Sequence, residues 1–217
     1  YYQLRKQKIL LEKQLAVQYE RQRISAEMHD DIGAGLSGIR LMTEMAKMKS
    51  KDDETGSEIE KIYNSVGDIS SKMKEVIWSL NTENDSLGNL LSYLQKQARQ
   101  MMENYPGSFT ITIPEQIPDI KIGGETRRHI YLTVKEALHN IIKHSGADKI
   151  NLVIACAGKL IIKVSDNGKG MNTGDSSNSG NGLKNMRNRM EQIGGNFSVE
   201  NNQGLTLIFE IPLKPAL

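Results

Sequence analysis

The stretch HIYLTVKEALHNIIKHSGA, residues 129–147, carries two patterns at once. Ile130, Val134, Ala137, Leu138 and Ile141 recur at i, i+4, i+7, i+8 and i+11, the apolar stripe of a helix against a core. His129, Thr133, Glu136, Asn140 and Lys143 step by 4, 3, 4 and 3 along another face. One helix therefore displays a carboxylate, a carboxamide and an ammonium in a line. Mg2+ takes oxygen ligands and keeps waters and substrate phosphates in its shell. Asn140 can supply such an oxygen, Glu136 can act directly or through water, and Lys143 can pair with phosphate. The plainer reading of the same face is a solvated helix surface.

Outward from this helix, INLVIAC (150–156) and KLIIKVSD (159–166) read as a hairpin of buried strands joined at Ala157-Gly158. VSDNGKG (164–170) ends the second strand. Asp166 there can accept a hydrogen bond from an exocyclic amine, while Gly168 and Gly170 permit a tight turn and close ligand approach. A bare DNG is equally a hairpin turn. SGNGLKNMRNRMEQIGG (179–195) sets Gly180 and Gly182 directly before a helix expected near 183–193, so backbone N–H groups and the helix dipole stand where a phosphate sits. No GKS or GKT follows, so this is not a Walker A loop, and it is not the GxGxxG dinucleotide fingerprint. MNTGDSSNS (171–179) is small and polar, as a lid would be. A helix is expected over 87–104 and strands over FTITIP (109–114), NFSVEN (196–201) and LTLIFEIPL (205–213). These elements make an α/β sandwich with helices over a largely antiparallel sheet.

Toward the N-terminus the grammar changes. All five prolines lie at Pro106 or beyond, and eight of the 19 glycines fall between Gly168 and Gly204. Residues 1–105 thus contain no strong helix breaker. Ile59, Ile62, Val66, Ile69, Met73, Val76 and Leu80 alternate spacings of 3 and 4, a heptad seam. Ile24, Met28, Ile32, Leu36 and Ile39 form a second stripe. The polar segment 49–57, with Gly56, reads as the turn of a helical hairpin. Two helices bury both stripes poorly, so a homodimeric four-helix bundle is the expected completion. Residues 1–20, with Leu4, Leu11 and Leu15, read either as a coiled-coil stalk or as a frayed terminus. The fold class is α+β, with a helical domain over 1–84, a polar boundary at 81–88, and a second domain over 85–217.

On the first helix, RISAEMHDDIGAGLSGI (23–39) holds His29 at the edge of the apolar stripe. Neutral imidazole is a good nucleophile near neutral pH, and Asp30 can take or orient its second proton. A surface histidine beside chance carboxylates is the bland alternative. Gly33, Gly35 and Gly38 each cost about 1 kcal/mol relative to Ala in a helix, which points to close approach or bending there.

Composition excludes several classes. With 28 basic and 26 acidic residues the net charge is +2, which gives no general pull toward nucleic acid or an anionic membrane. The single Cys156 excludes a disulfide framework or a cysteine-based zinc cluster, and a reducing compartment is the easy reading. No run of about 18 apolar residues exists, and the first residues lack a signal-peptide cleavage site. The chain lacks an initiator Met and begins mid-pattern, so it is expected to be a fragment of a longer protein.

Jointly, these motifs resemble the histidine kinases of two-component signalling over essentially the whole chain. Residues 27–36 fit the E-x-H-D-x-x-G-x-x-L motif of the subfamily that includes nitrate-sensor and membrane-fluidity-sensor kinases. EALHNIIKHSGA, DNGKG, GNGLKNMRNRM and GLTLIFEIP resemble the asparagine box, two glycine boxes and terminal strand of the GHKL (Bergerat-fold) ATPase domain shared with gyrase, Hsp90 and MutL. The resemblance implies that ATP binds beside the asparagine-box helix, with Asn140 holding Mg2+ and Glu136 assisting it or helping to activate the nucleophile. Lys143 and His144 would approach the phosphates, and Gly180, Gly182 and Leu183 would line them. Asp166 would read the adenine amine, Gly168 and Gly170 would shape that wall, and Thr206 would add a contact near the base. His29 would attack the γ-phosphate with Asp30 as base or orienter, then pass the phosphoryl group to an aspartate of a response regulator receiver domain. Residues 81–88 would be the hinge. The implied setting is the cytoplasmic portion of a bacterial inner-membrane sensor, homodimeric, without nucleic acid, touching the membrane only through segments outside this sequence. An ATPase clamp or anti-sigma-type serine kinase on the same fold needs no His29-Asp30, and a degenerate scaffold needs neither Glu136, Asn140, Asp166 nor the glycine boxes.

The subfamily often has Gln five residues after the phosphorylated histidine, where it positions water for response-regulator dephosphorylation. Here that position is Ala34, which has no group to orient water. Weak or absent phosphatase activity by that route is expected in a response-regulator dephosphorylation assay; strong activity that depends on Asp30 would overturn this.

Overall fold

Helical backbone runs from Tyr2 to Lys49 in the computed structural model, which describes residues 2–49, 53–171, 181–201 and 203–213. The chain divides into two compact units, Tyr1–Asn84 and Asp85–Leu217.

In the first unit, α1 (Tyr2–Glu27) passes through a π-helical turn (Met28–Ile32) into α2 (Gly33–Lys49) without leaving helical dihedrals. The Gly33 N–H reaches back five residues to the Met28 carbonyl. Residues 2–20 therefore continue the helix rather than fray. The return helix α3 (Asp53–Leu80) starts earlier than the polar composition of 49–57 predicts, and Gly56 lies inside it. One glycine costs about 1 kcal/mol in a helix but does not end it. Residues 50–52 lie outside the described residues.

Helix α2 packs along α3. Arg40 donates to the Tyr63 hydroxyl at 2.6 Å and lies over its ring, and Lys47 pairs with Glu60 at 3.1 Å. The heptad seam divides in two. Val66 and Met73 are buried, whereas Ile62 and Ile69 are 51% and 52% exposed, as are Ile32 and Ile39 at 48% and 47%. Of the three helix glycines, only Gly33 makes a close approach: a Cβ there would meet the Met73 methyl at 3.4 Å, while Gly35 and Gly38 face open space.

The second unit is a five-stranded sheet in the order β1-β2-β3-β5-β4, with β1 (Ser108–Thr112), β2 (Lys149–Cys156), β3 (Lys159–Asp166), β4 (Asn196–Asn201) and β5 (Leu205–Pro212). Only β1 and β2 run parallel; the other pairs are antiparallel. Ile150, Leu152 and Ile154 on β2 and Leu160, Ile162 and Val164 on β3 alternate inward, the period-2 pattern of a sheet with one covered face. Buried with them are Leu87, Leu90, Leu91 and Leu94 of α4 (Leu87–Met102), the apolar stripe of α5 (Gly124–Asn140), and Met186 and Met190 of α6 (Asn181–Gln192). Ser86 caps α4 by accepting the Asn89 N–H at 3.1 Å. A second π turn, Ile141–Ser145, extends α5 and ends at Gly146 with φ +62°.

Arg127 is the one fully buried cation among the described residues. It donates to Asp85 at 2.7 Å and to the Ile122 carbonyl at 3.2 Å. Those bonds tie the start of α5 to the first residue of the unit, and the Ile122 N–H returns to the Asp85 carbonyl. Asp85→Ala is expected to lower the unfolding free energy of the second unit by roughly 2–4 kcal/mol, because it strands a buried charge. Hydrogen exchange at the Leu152 and Ile162 amides measures this; a loss under about 0.5 kcal/mol would mean the pair behaves as a surface ion pair.

Candidate functional site

Glu136 and Asn140 stand one turn apart on α5, both half-buried. Gly182, in the first turn of α6, lies directly against them. A Cβ built there would be 2.5 Å from Glu136 Oε1 and 3.1 Å from Asn140 Nδ2. The N-terminus of α6, whose first N–H groups have no partner within the helix and which carries the positive dipole end, is thus brought to the one carboxylate and one carboxamide predicted to work together. The polar line of α5 is not a solvated surface. Thr133 is fully buried and His129 is half-buried. Burial pushes the His129 pKa down, partly opposed by Glu125, with Arg128 and Arg189 adding to the depression. Lys143 falls off the line: it lies with His144 in the π turn, whose wider spacing breaks the 3–4 stepping, and both side chains are exposed.

A second cluster forms at the end of β3. Asp166 is 8% exposed. Burial raises its pKa, and hydrogen bonds from the Gly168 and Leu205 backbone N–H groups oppose that rise. The Gly168 N–H lies 2.8 Å from Oδ1. A carboxylate held this way keeps lone pairs free for a further donor. The DNG segment is not a hairpin turn, since β3 pairs with β2 and β5 and the chain next enters α6. Asn167 instead accepts the Asp148 and Lys149 N–H groups and donates to Asp148, which ties the loop to the start of β2. Thr206 is half-buried on β5, in register with Ser165, beside Asp166.

The two clusters share α5 as their support. The Lys169 N–H donates to the Ser145 carbonyl at 3.1 Å, and a Cβ on Gly168 would come within 2.3 Å of that oxygen. The structure therefore brings Glu136, Asn140 and Gly182 together, and Asp166, Gly168, Gly170 and Thr206 together. Leu183 is half-buried beside Gly182. Gly180 and residues 172–179 of the lid expected over 171–179 lie outside the described residues. His29 and Asp30 are exposed on the π turn of the first unit.

Glu136 and Asn140 offer two oxygen donors. Among the described residues no group of three or more His, Cys, Asp or Glu side chains is arranged to hold a metal. Two donors suit Mg2+, which keeps waters and phosphates in its shell, and do not suit a metal that demands a full protein cage. Sequence reasoning included Gly204 in the terminal strand GLTLIFEIP but gave it no role in the site. At φ +126° it lies so close to Asp166 that a Cβ would fall 1.9 Å from the Asp166 carbonyl oxygen. Its only sequence signal is a glycine just ahead of Thr206.

Residues 20–86 match the family described as "Histidine kinase", and residues 125–215 the family described as "Histidine kinase-, DNA gyrase B-, and HSP90-like ATPase". Sensor histidine kinase LiaS of Bacillus subtilis (strain 168) is 28% identical over 210 residues, covering 94% of this chain and 57% of LiaS. Sensor protein VraS of Staphylococcus aureus (strain COL) is 24% identical over 184 residues, covering 84% of this chain and 52% of VraS. The chain thus spans about half the length of the curated relatives it matches. Among solved structures, the histidine kinase domain of the blue-light activated histidine kinase from Erythrobacter litoralis superposes with a TM-score of 0.56 at 18% identity, covering 83% of this chain and 94% of that one. Full-length ShkA in complex with AMPPNP gives 0.55 at 18% identity, covering 91% of this chain and 46% of that one. At such identities the likeness is one of fold.

The glycine contacts separate two kinds of damage. Gly204→Ala would drive a methyl into backbone at a dihedral only glycine adopts, and is expected to cost more than about 2 kcal/mol of stability. Gly182→Ala would meet the far end of a flexible side chain, and is expected to cost less than about 1 kcal/mol as the Glu136 carboxylate swings aside. Thermal melts of the two variants check the ordering.

Proposed function

Because this chain belongs to the sensor histidine kinase family of two-component systems, we propose that it is an ATP-dependent kinase that phosphorylates its own His29 and passes the phosphoryl group to an aspartate of a response regulator. The observation that carries this reading is the approach of Gly182 to Glu136 and Asn140. It puts a helix N-terminus, a carboxylate and a carboxamide around one point, with the loop that carries the buried Asp166 carboxylate tied to Ser145 just past the same helix.

In this reading Asp166 accepts a hydrogen bond from the adenine amine, and Gly168 and Gly170 let the base approach. Thr206 adds a contact near the base. The α6 N-terminus, with Gly182 and Leu183, cradles the phosphates. Lys143 and His144 approach the phosphates. Mg2+ would be held by Asn140 with Glu136, and its contribution is to neutralise charge on the phosphates. Phosphoryl transfer is mainly a matter of positioning and charge compensation. An imidazole nitrogen of His29 attacks the γ-phosphorus, the bond to the bridging oxygen breaks, and ADP leaves with the electron pair. The proton on the imidazole passes to Asp30 or is oriented by it. The N–P bond so formed is reactive enough to pass its phosphoryl group to a carboxylate.

The exposed isoleucines at 32, 39, 62 and 69 support a homodimer that buries them in a four-helix bundle. Among the described residues no helix is long and apolar enough to cross a membrane. With relatives described as sensors and covered over about half their length, we assign the chain to the cytoplasmic portion of a larger bacterial membrane sensor.

Incubation with γ-labelled ATP and Mg2+ tests the reading. Native protein is expected to take up acid-labile, base-stable label, and His29→Gln to take up none. Gly182→Ala, though folded, is expected to label at least about tenfold more slowly, the rate equivalent of roughly 1.4 kcal/mol in the barrier. Label retained in His29→Gln would move the acceptor elsewhere.

A further inference from the structure

The turn between β4 and β5 holds the loop that follows Asp166 at both ends. At the first end Gly204 presses against the Asp166 carbonyl, and the Leu205 N–H donates to the Asp166 carboxylate. At the other end the Asn201 side chain brackets one residue. Its Oδ1 accepts the Met171 N–H at 3.1 Å, and its Nδ2 donates to the Met171 carbonyl at 2.7 Å. The carboxamide thus engages both polar groups of Met171, as a neighbouring strand would. Gly170 makes room for it. At φ +66°, a Cβ on Gly170 would lie 2.4 Å from Asn201 Oδ1.

We infer that Asn201 is a positioning residue for base recognition: by clamping Met171 it holds the 166–171 loop so that the Asp166 carboxylate meets an adenine amine. The inference rests on the reading of Asp166 given under the proposed function. The chemistry selects asparagine. A clamp on both an N–H and a carbonyl needs one acceptor and one donor on the same short side chain. Aspartate has the same shape but no donor, and it sets a negative oxygen against the Met171 carbonyl. Alanine loses both bonds. Asn201 touches neither Glu136, Asn140 nor Gly182 in the contacts that build the phosphate end. Its effect therefore belongs to nucleotide affinity and purine choice, not to the transfer step.

The test is calorimetric titration of the chain with ADP and with GDP, alongside kcat and KM for ATP in autophosphorylation. Asn201→Ala and Asn201→Asp are each expected to weaken ADP binding about tenfold, or ~1.4 kcal/mol, while GDP binding stays put. The ADP-to-GDP preference then falls, KM for ATP rises, and kcat at saturating ATP holds within about twofold, an energetic change of under ~0.5 kcal/mol. Asn201→Gln, with the same amide on a longer arm, is expected to recover part of the preference. Unchanged ADP affinity in both Ala and Asp variants would overturn the inference and leave the nucleotide site standing. So would equal weakening of ADP and GDP with a lowered melting temperature, which marks a general scaffold role. Native chain that binds neither nucleotide would overturn the nucleotide-site reading itself, and this inference with it.

Discussion

Ser145 closes the π turn after α5, and its carbonyl oxygen receives the Lys169 N–H at 3.1 Å. Around that bond the candidate site is assembled. It joins the end of the helix carrying Glu136 and Asn140 to the loop carrying Asp166, and it does so through backbone, which leaves side chains free. Such an approach is possible only because residue 168 has no Cβ. The same device recurs where Gly182 meets Glu136 and where Gly204 meets Asp166. Three glycines far apart in sequence thereby set three separations within one site. The buried face of α5 supplies the rigidity: Ile130, Val134, Ala137 and Leu138 are all under 5% exposed and leave the helix no freedom to roll.

The charges follow the same logic. Asp166 is costly to bury, and the N–H groups of Gly168 and Leu205 offset part of that cost without saturating the carboxylate. It is held ready to accept one more donor. Arg127 is buried with its partner beside it, so the start of α5 is pinned by charge where its end is pinned by backbone. The first unit works differently. Its seam is half used: Val66 and Met73 pack within the hairpin, and Ile62 and Ile69 stay in water. An apolar row of that length left exposed on a helix is the ordinary mark of an association surface. The π turn at Met28–Ile32 interrupts regular α geometry at His29, and such turns are frequent at functional sites.

Much of this was legible in the linear chain because it depends on local periodicity. The apolar stripe of α5, the alternation in β2 and β3, and the turn at Ala157-Gly158 each follow from side chains a few residues apart, and each element formed where its pattern predicted. The α+β class follows from the same patterns, with the proline-free first half helical and the second half mixed. Less legible was the start of α3. Polar composition suggested a turn through Gly56, but helix propensity outweighed one glycine. The two π turns had no signal in spacing, and the second one took Lys143 off the line drawn through Glu136 and Asn140.

What the amino-acid sequence determined by itself was the kind of each element and the presence of residues with the right chemistry: a histidine with its aspartate, an asparagine with its glutamate, and glycines beside Asp166 and ahead of α6. Which of those glycines touches which partner was decided only by the tertiary structure. So were the grip of Gly204 and Asn201 on the Asp166 loop and the burial of Thr133 in a face that composition reads as solvated. The physical reason is range. Periodicity records which way a side chain faces along its own element, whereas a separation between backbones depends on how separate elements pack, and no spacing in the chain encodes that distance.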